Sequence, residues 1–382
     1  RDRDPALAAE LAGAPGPDRP GAATAEAESP GRVLDLPERA AFLTRPDPDP
    51  TALDLPGPVA VLNLSQLGGH ALLLRDHRLT VVPLPRLDAR EAVERCVAFL
   101  DATAGVSAPA RTLDERRAAG RTVRETLVWL WEAVAAPVLE ALDPPRADPP
   151  PRLWWCPTGV LTALPLHAAG DGERAVPDLV VSSHTPTLAA LARTGQPQRP
   201  TPRRPLIVDA ANAHDEVAAL TELMPEATVL SGPAATRAAV LAALPRHGRA
   251  HFACHATVDP IHREANRLLL ADGALTTDDL ARHPVDADLA VLAACATGSG
   301  SLDLQDEAHH LATACQLAGY RSVIATLWPV TTRQSAEFAR LLYPHLRHPT
   351  PPALALHHTT ATLRSRYPNS PWLWAPYAHL GE

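Results

Sequence analysis

From residue 205 to the end of this 382-residue chain, short apolar runs alternate with helical segments, and few folds accept that pattern. LIVDA, ATVLSG, RAHFAC, LAVLAAC and SVIATLW read as strands. Residues 215–224, 236–244, 277–283 and 306–318 read as helices between them. Helices over 335–346 and 352–366 and a last strand near 378–380 complete the series, and 268–271 can add a short strand. The strand runs are apolar throughout, as strands buried on both faces are. Such alternation predicts a mostly parallel sheet with helices on both sides, a three-layer α/β/α arrangement.

Two of these strands end in reactive side chains. Residues 249–259 read RAHFACHATVD and carry His255; residues 287–301 read ADLAVLAACATGSGS and carry Cys295. In open α/β sheets, chemistry gathers beyond the carboxyl ends of the strands. A His and a Cys leaving neighbouring strands there are the parts of a thiol nucleophile and its base. Gly298 and Gly300 form a turn that lifts Cys295 to the rim. The backbone N–H groups of Ala256 and Cys295 are candidates to bind an oxyanion. Cys254, inside its apolar run, reads as a core residue, and His251 as a packing residue or one that supports the site from behind. A metal site built from His255, His262, His309 and His310 lacks any zinc-like spacing, so neither metal nor other cofactor is expected.

Composition narrows the classes further. The chain carries a net charge of −8 and 35 basic residues, all arginine. The charge gives no case for nucleic acid or an anionic membrane as partner. Without lysine there is no Walker-A phosphate loop, and neither G-x-S-x-G nor G-x-G-x-x-G occurs. The five cysteines are odd in number and widely spaced, with no C-x-x-C pair. That pattern suits a reducing, cytoplasmic setting. No apolar stretch is long enough to span a bilayer and no signal peptide is visible. The chain starts with Arg and its one Met is Met224, so a fragment, or the carboxyl-terminal part of a longer protein, is expected.

Composition also divides the chain. Residues 1–50, rich in Pro, Ala, Gly and acids, read as a disordered linker. Residues 51–195 form a first α/β segment. VAVLNL, HALLL and LTVV predict an antiparallel meander, followed by helices over 89–102 and 113–142. In the second helix Val123, Leu127, Leu130, Trp131 and Val134 recur at helical spacing, and Pro137 should bend or interrupt it. Strands at 153–156 and 179–182 and a short helix from Thr187 close the segment. The proline-dense stretch 196–205 is the internal boundary, and 205–382 is the second unit.

With these segments in order, the chain resembles the CHAT family, caspase-like domains that often follow tetratricopeptide repeats. The likeness rests on LWWCPTGVLTALPLHAA, HTPTLAAL, DEVAALTELMPEATVLSGPAATRAAV, HFACHA, LLLADGALTTDDL, ADLAVLAACATGSGS, DEAHHLATACQLAGYRSVIATLWPV and PWLWAPYAHLGE, in that order. The resemblance implies a clan CD fold: a smaller pseudo-symmetric α/β subdomain followed by the caspase-like unit. It implies a bacterial cysteine endopeptidase with His255 as base and Cys295 as nucleophile. It also implies a protein or peptide substrate and control by an upstream repeat or sensor region. Three departures stand out. Ala256 replaces the usual Gly, Ala296 the Glu that often follows the nucleophile, and Gln305-Asp306-Glu307 the Gly-Asp-Glu often found downstream. Thr332 stands where related peptidases with basic P1 preference carry Asp. Asp306, Glu307 and Thr332 are the candidate pocket residues. The departures also keep open an inactive CHAT-like protein-interaction module.

Overall fold

A computed structural model describes residues 49–106, 108, 111–194, 204–257, 267–293, 295–296, 307–346 and 350–382. The chain divides at Asp49, and the fold is that of Pro50–Glu382. The expected linkers, 1–50 and 196–205, fall almost wholly outside the described residues.

The first segment opens with the expected meander, β1 (Val59–Ser65), β2 (Gly68–Arg75) and β3 (Arg78–Leu84), antiparallel in turn. Helices α1 (Ala89–Val106) and α2 (Leu113–Leu130) follow. A reciprocal cap starts α2. Glu115 N–H donates to Thr112 Oγ1, and the Glu115 carboxylate accepts from Thr112 N–H at 2.7 Å. Two otherwise orphaned donors are thereby satisfied. Pro137 brings no N–H and a bulky ring, which an ordinary helical turn cannot fit. The chain absorbs it with one π turn, Trp131–Ala135, where Ala136 N–H reaches back to Trp131 O. It then continues as α3 (Ala136–Leu142). Next come β4 (Arg152–Cys156), β5 (Val181–His184) and α4 (Leu188–Thr194). β5 starts two residues later than the expected strand because Val176–Asp178 forms a 3-10 turn.

The second segment alternates as its sequence predicts. Its elements are β6 (Pro205–Asp209), α5 (His214–Leu223), β7 (Thr228–Ser231), α6 (Arg237–Ala243), β8 (Arg249–Ala253) and β9 (His255–Thr257). Then come β10 (Arg267–Leu270), β11 (Gly273–Thr276), α7 (Thr277–Arg282), β12 (Ala287–Leu292) and β13 (Cys295–Ala296). The chain continues through α8 (Glu307–Ala318), β14 (Tyr320–Thr326), α9 (Thr332–His345), α10 (Pro352–Arg366), α11 (Pro371–Trp374) and β15 (Tyr377–Gly381).

Strands of both segments join one 11-stranded sheet, in the order β3-β2-β1-β4-β5-β15-β14-β12-β8-β6-β7. β15 lies parallel to β5 and antiparallel to β14, so it is the seam between two parallel runs, β1-β4-β5-β15 and β14-β12-β8-β6-β7, that point in opposite directions. Alternate residues of each strand serve different layers, as a period of two requires. Ile207, Leu289, Val291 and Ile324 join the core under α1, α2, α5, α9 and α10. Leu206, Val208, Phe252, Leu292 and Val323 join the core under α6, α7 and α8. The result is the expected three-layer α/β/α sandwich with a mostly parallel sheet.

Gly319, at the end of α8, shows how tightly one turn is drawn. Its φ is +118°, and a Cβ there would lie 1.8 Å from Val285 O. Only glycine combines that conformation with so close an approach.

Candidate active site

β8 and β12 are adjacent parallel strands of the large sheet, with Phe252 opposite Leu292. A shorter strand follows each: β9 follows β8 after Cys254, and β13 begins three residues beyond the end of β12. These extensions pair again, in parallel, inside a separate sheet of order β11-β10-β9-β13. The register carries through unchanged. Three residues beyond the Phe252–Leu292 pair, His255 stands opposite Cys295, and Ala256 opposite Ala296. Neighbouring strands lie about 4.8 Å apart. The two sequence-predicted residues are therefore brought together at the carboxyl ends of two central strands.

His255 is exposed, as a residue at a rim must be to meet a substrate. Ala256 is buried, with Leu268 of β10 as its other register partner. Its backbone is extended within β9, so the alanine in place of the family's glycine carries no left-handed strain.

The other four thiols are buried. Cys254 is 1% exposed and its Sγ lies 3.7 Å from Val208 O. Burial pushes its pKa up to about 12. Cys96, Cys156 and Cys315 are also buried and free. Desolvation raises them to about 11, 11 and 12 respectively. At neutral pH all four are protonated, and a thiol is not the nucleophilic form.

Of the candidate pocket residues, Thr332 is the exposed first residue of α9. The cap behind it is made by Thr331 and Gln334, with Gln334 Oε1 accepting from Thr331 N–H at 2.8 Å. Trp328, just upstream, is buried and packs edge-on against Phe99 of α1 at 5.4 Å between ring centroids. The start of α9 is thus anchored through the core of the first segment. Glu307 begins α8. Asp306, Gly298, Gly300 and His262 lie outside the described residues. Asp279, another acid near the site's small sheet, is already engaged. It caps α7 through Thr276 N–H at 3.1 Å and pairs with Arg237, which holds its carboxyl well below the usual range.

Sequence reasoning singled out His251 but missed the two partners, Glu216 and Tyr343, that make it a buried cluster beneath this rim. His251 of β8 is 1% exposed; its Nε2 lies 2.9 Å from Glu216 Oε1 and its Nδ1 2.8 Å from the Tyr343 hydroxyl. The signal was a polar residue at an inward strand position, where apolar neighbours set the rule.

The CHAT domain family matches residues 124–382. No match is found among curated protein sequences. Two structures of the Saccharomyces cerevisiae separase–securin complex superimpose with TM-scores of 0.60 and 0.58, at 10% and 11% identity over 87% of this chain. The chain spans 30% of the length of those separase chains. A looser likeness, TM-score 0.42 at 10% identity, joins 77% of it to 76% of a chain in the complex of Porphyromonas gingivalis RgpB pro- and mature domains. At these identities the likeness is one of fold, and the fold is caspase-like. No helix among the described residues is long and apolar enough to cross a membrane.

Proposed function

Because the chain belongs to the CHAT domain family, we propose that it is a caspase-like cysteine endopeptidase with Cys295 as nucleophile and His255 as general base and acid. The observation that carries this reading is the register that sets His255 opposite Cys295 at the rim.

The chemistry follows from the two side chains. His255 takes the proton from the Cys295 thiol, and the thiolate attacks the carbonyl carbon of a peptide. The carbonyl oxygen becomes an oxyanion, received by backbone N–H groups at Ala256 and Cys295. Collapse of the intermediate breaks the C–N bond, and His255 returns the proton to the leaving amine. A thioester remains. Water, deprotonated by His255, attacks it, and the carboxylic acid leaves as the Cys295 sulfur regains its proton. The balance closes without a cofactor.

Thr332 supports a substrate pocket without an acid at that position, and Asp306 and Glu307 remain candidates to line it. An upstream sensor or repeat region would gate the site by binding only its competent conformation. The four buried free thiols support a reducing compartment such as the cytoplasm. The substitutions at Ala296 and Thr332 favour a second reading, a CHAT-like module that binds protein partners without turnover.

Cleavage of a peptide library separates the two readings. The wild-type chain should cleave, and Cys295→Ala and His255→Ala should each abolish cleavage while remaining folded. Cleavage that survives in Cys295→Ala would overturn the assignment. A folded wild-type chain that cleaves nothing, even with its upstream region present, would favour the binding module.

A further inference from the structure

The cluster of Glu216, His251 and Tyr343 stands in a row that is otherwise apolar. Across four adjacent strands the register partners run Ile207, His251, Val291, Ile324. A hydrophobic residue at 251 would continue the row. Burying an imidazole and a carboxylate instead is costly unless every polar atom is satisfied. Here both ring nitrogens are satisfied. A carboxylate only accepts, so Nε2 carries the proton and donates to Glu216, while the Tyr343 hydroxyl donates to Nδ1. Glu216 and His251 side chains are 2% and 1% exposed.

The three residues come from three elements, each continuous with the rim. His251 belongs to β8, which runs through Ala253 and Cys254 directly into His255. Glu216 lies in the first turn of α5. The loop leading into that turn is itself tied to the end of β8: the N–H groups of Ala210 and Ala211 donate to Ala253 O at 3.1 and 3.2 Å. Asp209 holds the same loop by accepting from Ala213 N–H at 3.0 Å. Tyr343 is in the last turns of α9, the helix that begins beside Thr332. Four residues of extended chain cover about 13 Å, so His251 cannot touch a substrate held at His255.

Resting on the dyad reading above, we infer that Glu216, His251 and Tyr343 form a buried brace that positions His255 against Cys295. His251 is a positioning residue, acting through the backbone of β8 and the bonded β6–α5 loop.

The test uses the whole chain and iodoacetamide as probe. Alkylation of Cys295 is followed by peptide mapping from pH 5 to pH 9, below the melting temperature of every variant. Tyr343→Phe removes one hydroxyl and no bulk. It should slow Cys295 alkylation at pH 6.5 by about fivefold, the consequence of a lost hydrogen bond worth about 1 kcal/mol, and move the profile toward that of an unassisted thiol near pH 8.5. Glu216→Gln keeps an oxygen acceptor for Nε2 and should lie between wild type and Tyr343→Phe. It also serves if Tyr343→Phe does not fold. A lowered melting temperature with an unchanged alkylation profile would overturn the brace and leave a merely structural cluster. A wild-type Cys295 with an ordinary thiol profile would instead overturn the dyad, and the brace with it.

Discussion

His255 and Cys295 are register partners on adjacent parallel strands, β9 and β13, although each strand is only a two- or three-residue extension of a longer one. The pairing repeats, one small sheet further on, the register that β8 and β12 hold in the large sheet. Displacing either parent strand by one residue would separate the pair.

The buried thiols predict a selective reaction. A small electrophile at pH 8 should modify Cys295 and spare Cys96, Cys156, Cys254 and Cys315, whose pKa values burial raises to about 11, 11, 12 and 12. Cys254→Ala should leave this labelling unchanged and cost about 1–2 kcal/mol of stability as a cavity mutation. Peptide mapping and denaturant titration check both. Rapid modification of Cys254 in the folded chain would contradict its burial.

The same shifts give a direction for alkaline stability. Unfolded thiols ionise near pH 9, whereas the folded ones stay protonated to about 11 or 12. Between those limits the folded state binds more protons, so stability falls as pH rises. Each thiol contributes roughly 1 kcal/mol per pH unit to that fall. Tyr320 and Tyr343, raised chiefly by burial, add to it above pH 10. Urea midpoints at pH 8, 9.5 and 11 should decline steadily; a flat profile would show that the thiols meet solvent.

Asp279 makes the opposite prediction at low pH. Arg237 and the α7 cap hold its carboxyl below the usual range, so its contribution is present above about pH 4 and is lost as the pH drops further. Asp279→Ala should cost about 1 kcal/mol at pH 7, chiefly the cap, and much less at pH 2. Arg237 is half exposed, so water screens the pair and added salt should weaken it further. A cost that is equal at both pH values would place the carboxylate outside the cap.

Gly319→Ala should cost roughly 3 kcal/mol, because the new Cβ meets Val285 O at 1.8 Å and the backbone is left-handed. The turn from α8 into β14 would have to open. Thermal unfolding of the variant against wild type measures it, and a change under 1 kcal/mol would mean the turn relaxes freely.

Much of this architecture was legible because its signals are local. Apolar runs such as LIVDA and LAVLAAC mark strands buried on both faces, and the helical spacing from Val123 to Val134 marks a helix. The seam at β15 was not legible. Its strand was foreseen, but pairing antiparallel to β14 while parallel to β5 depends on contacts between the chain's end and its middle. The interruption expected at Pro137 takes the form of a π turn, because widening one turn preserves the buried face of the helix. At the site, His255 and Cys295 could be read from the strand ends. Glu216 could not: an acid in the first turn of a helix ordinarily complements the dipole, and only the fold shows it facing His251.

Thr332, exposed at the start of α9, supplies no carboxylate. P1 profiling should therefore show a weak or absent preference for Arg and Lys. Exclusive cleavage after those residues would assign an acid, Asp306 or Glu307, to the pocket.

The dyad is tested most directly by a peptidyl acyloxymethyl ketone, which alkylates a thiolate only where a peptide is bound beside it. Intact mass and peptide mapping after treatment should show one adduct, on Cys295, and His255→Ala should lower its rate at pH 7 by at least about a hundredfold, the usual scale of general base assistance. An adduct on another cysteine, or a rate at Cys295 indifferent to His255, would contradict the assignment of these two residues as nucleophile and base.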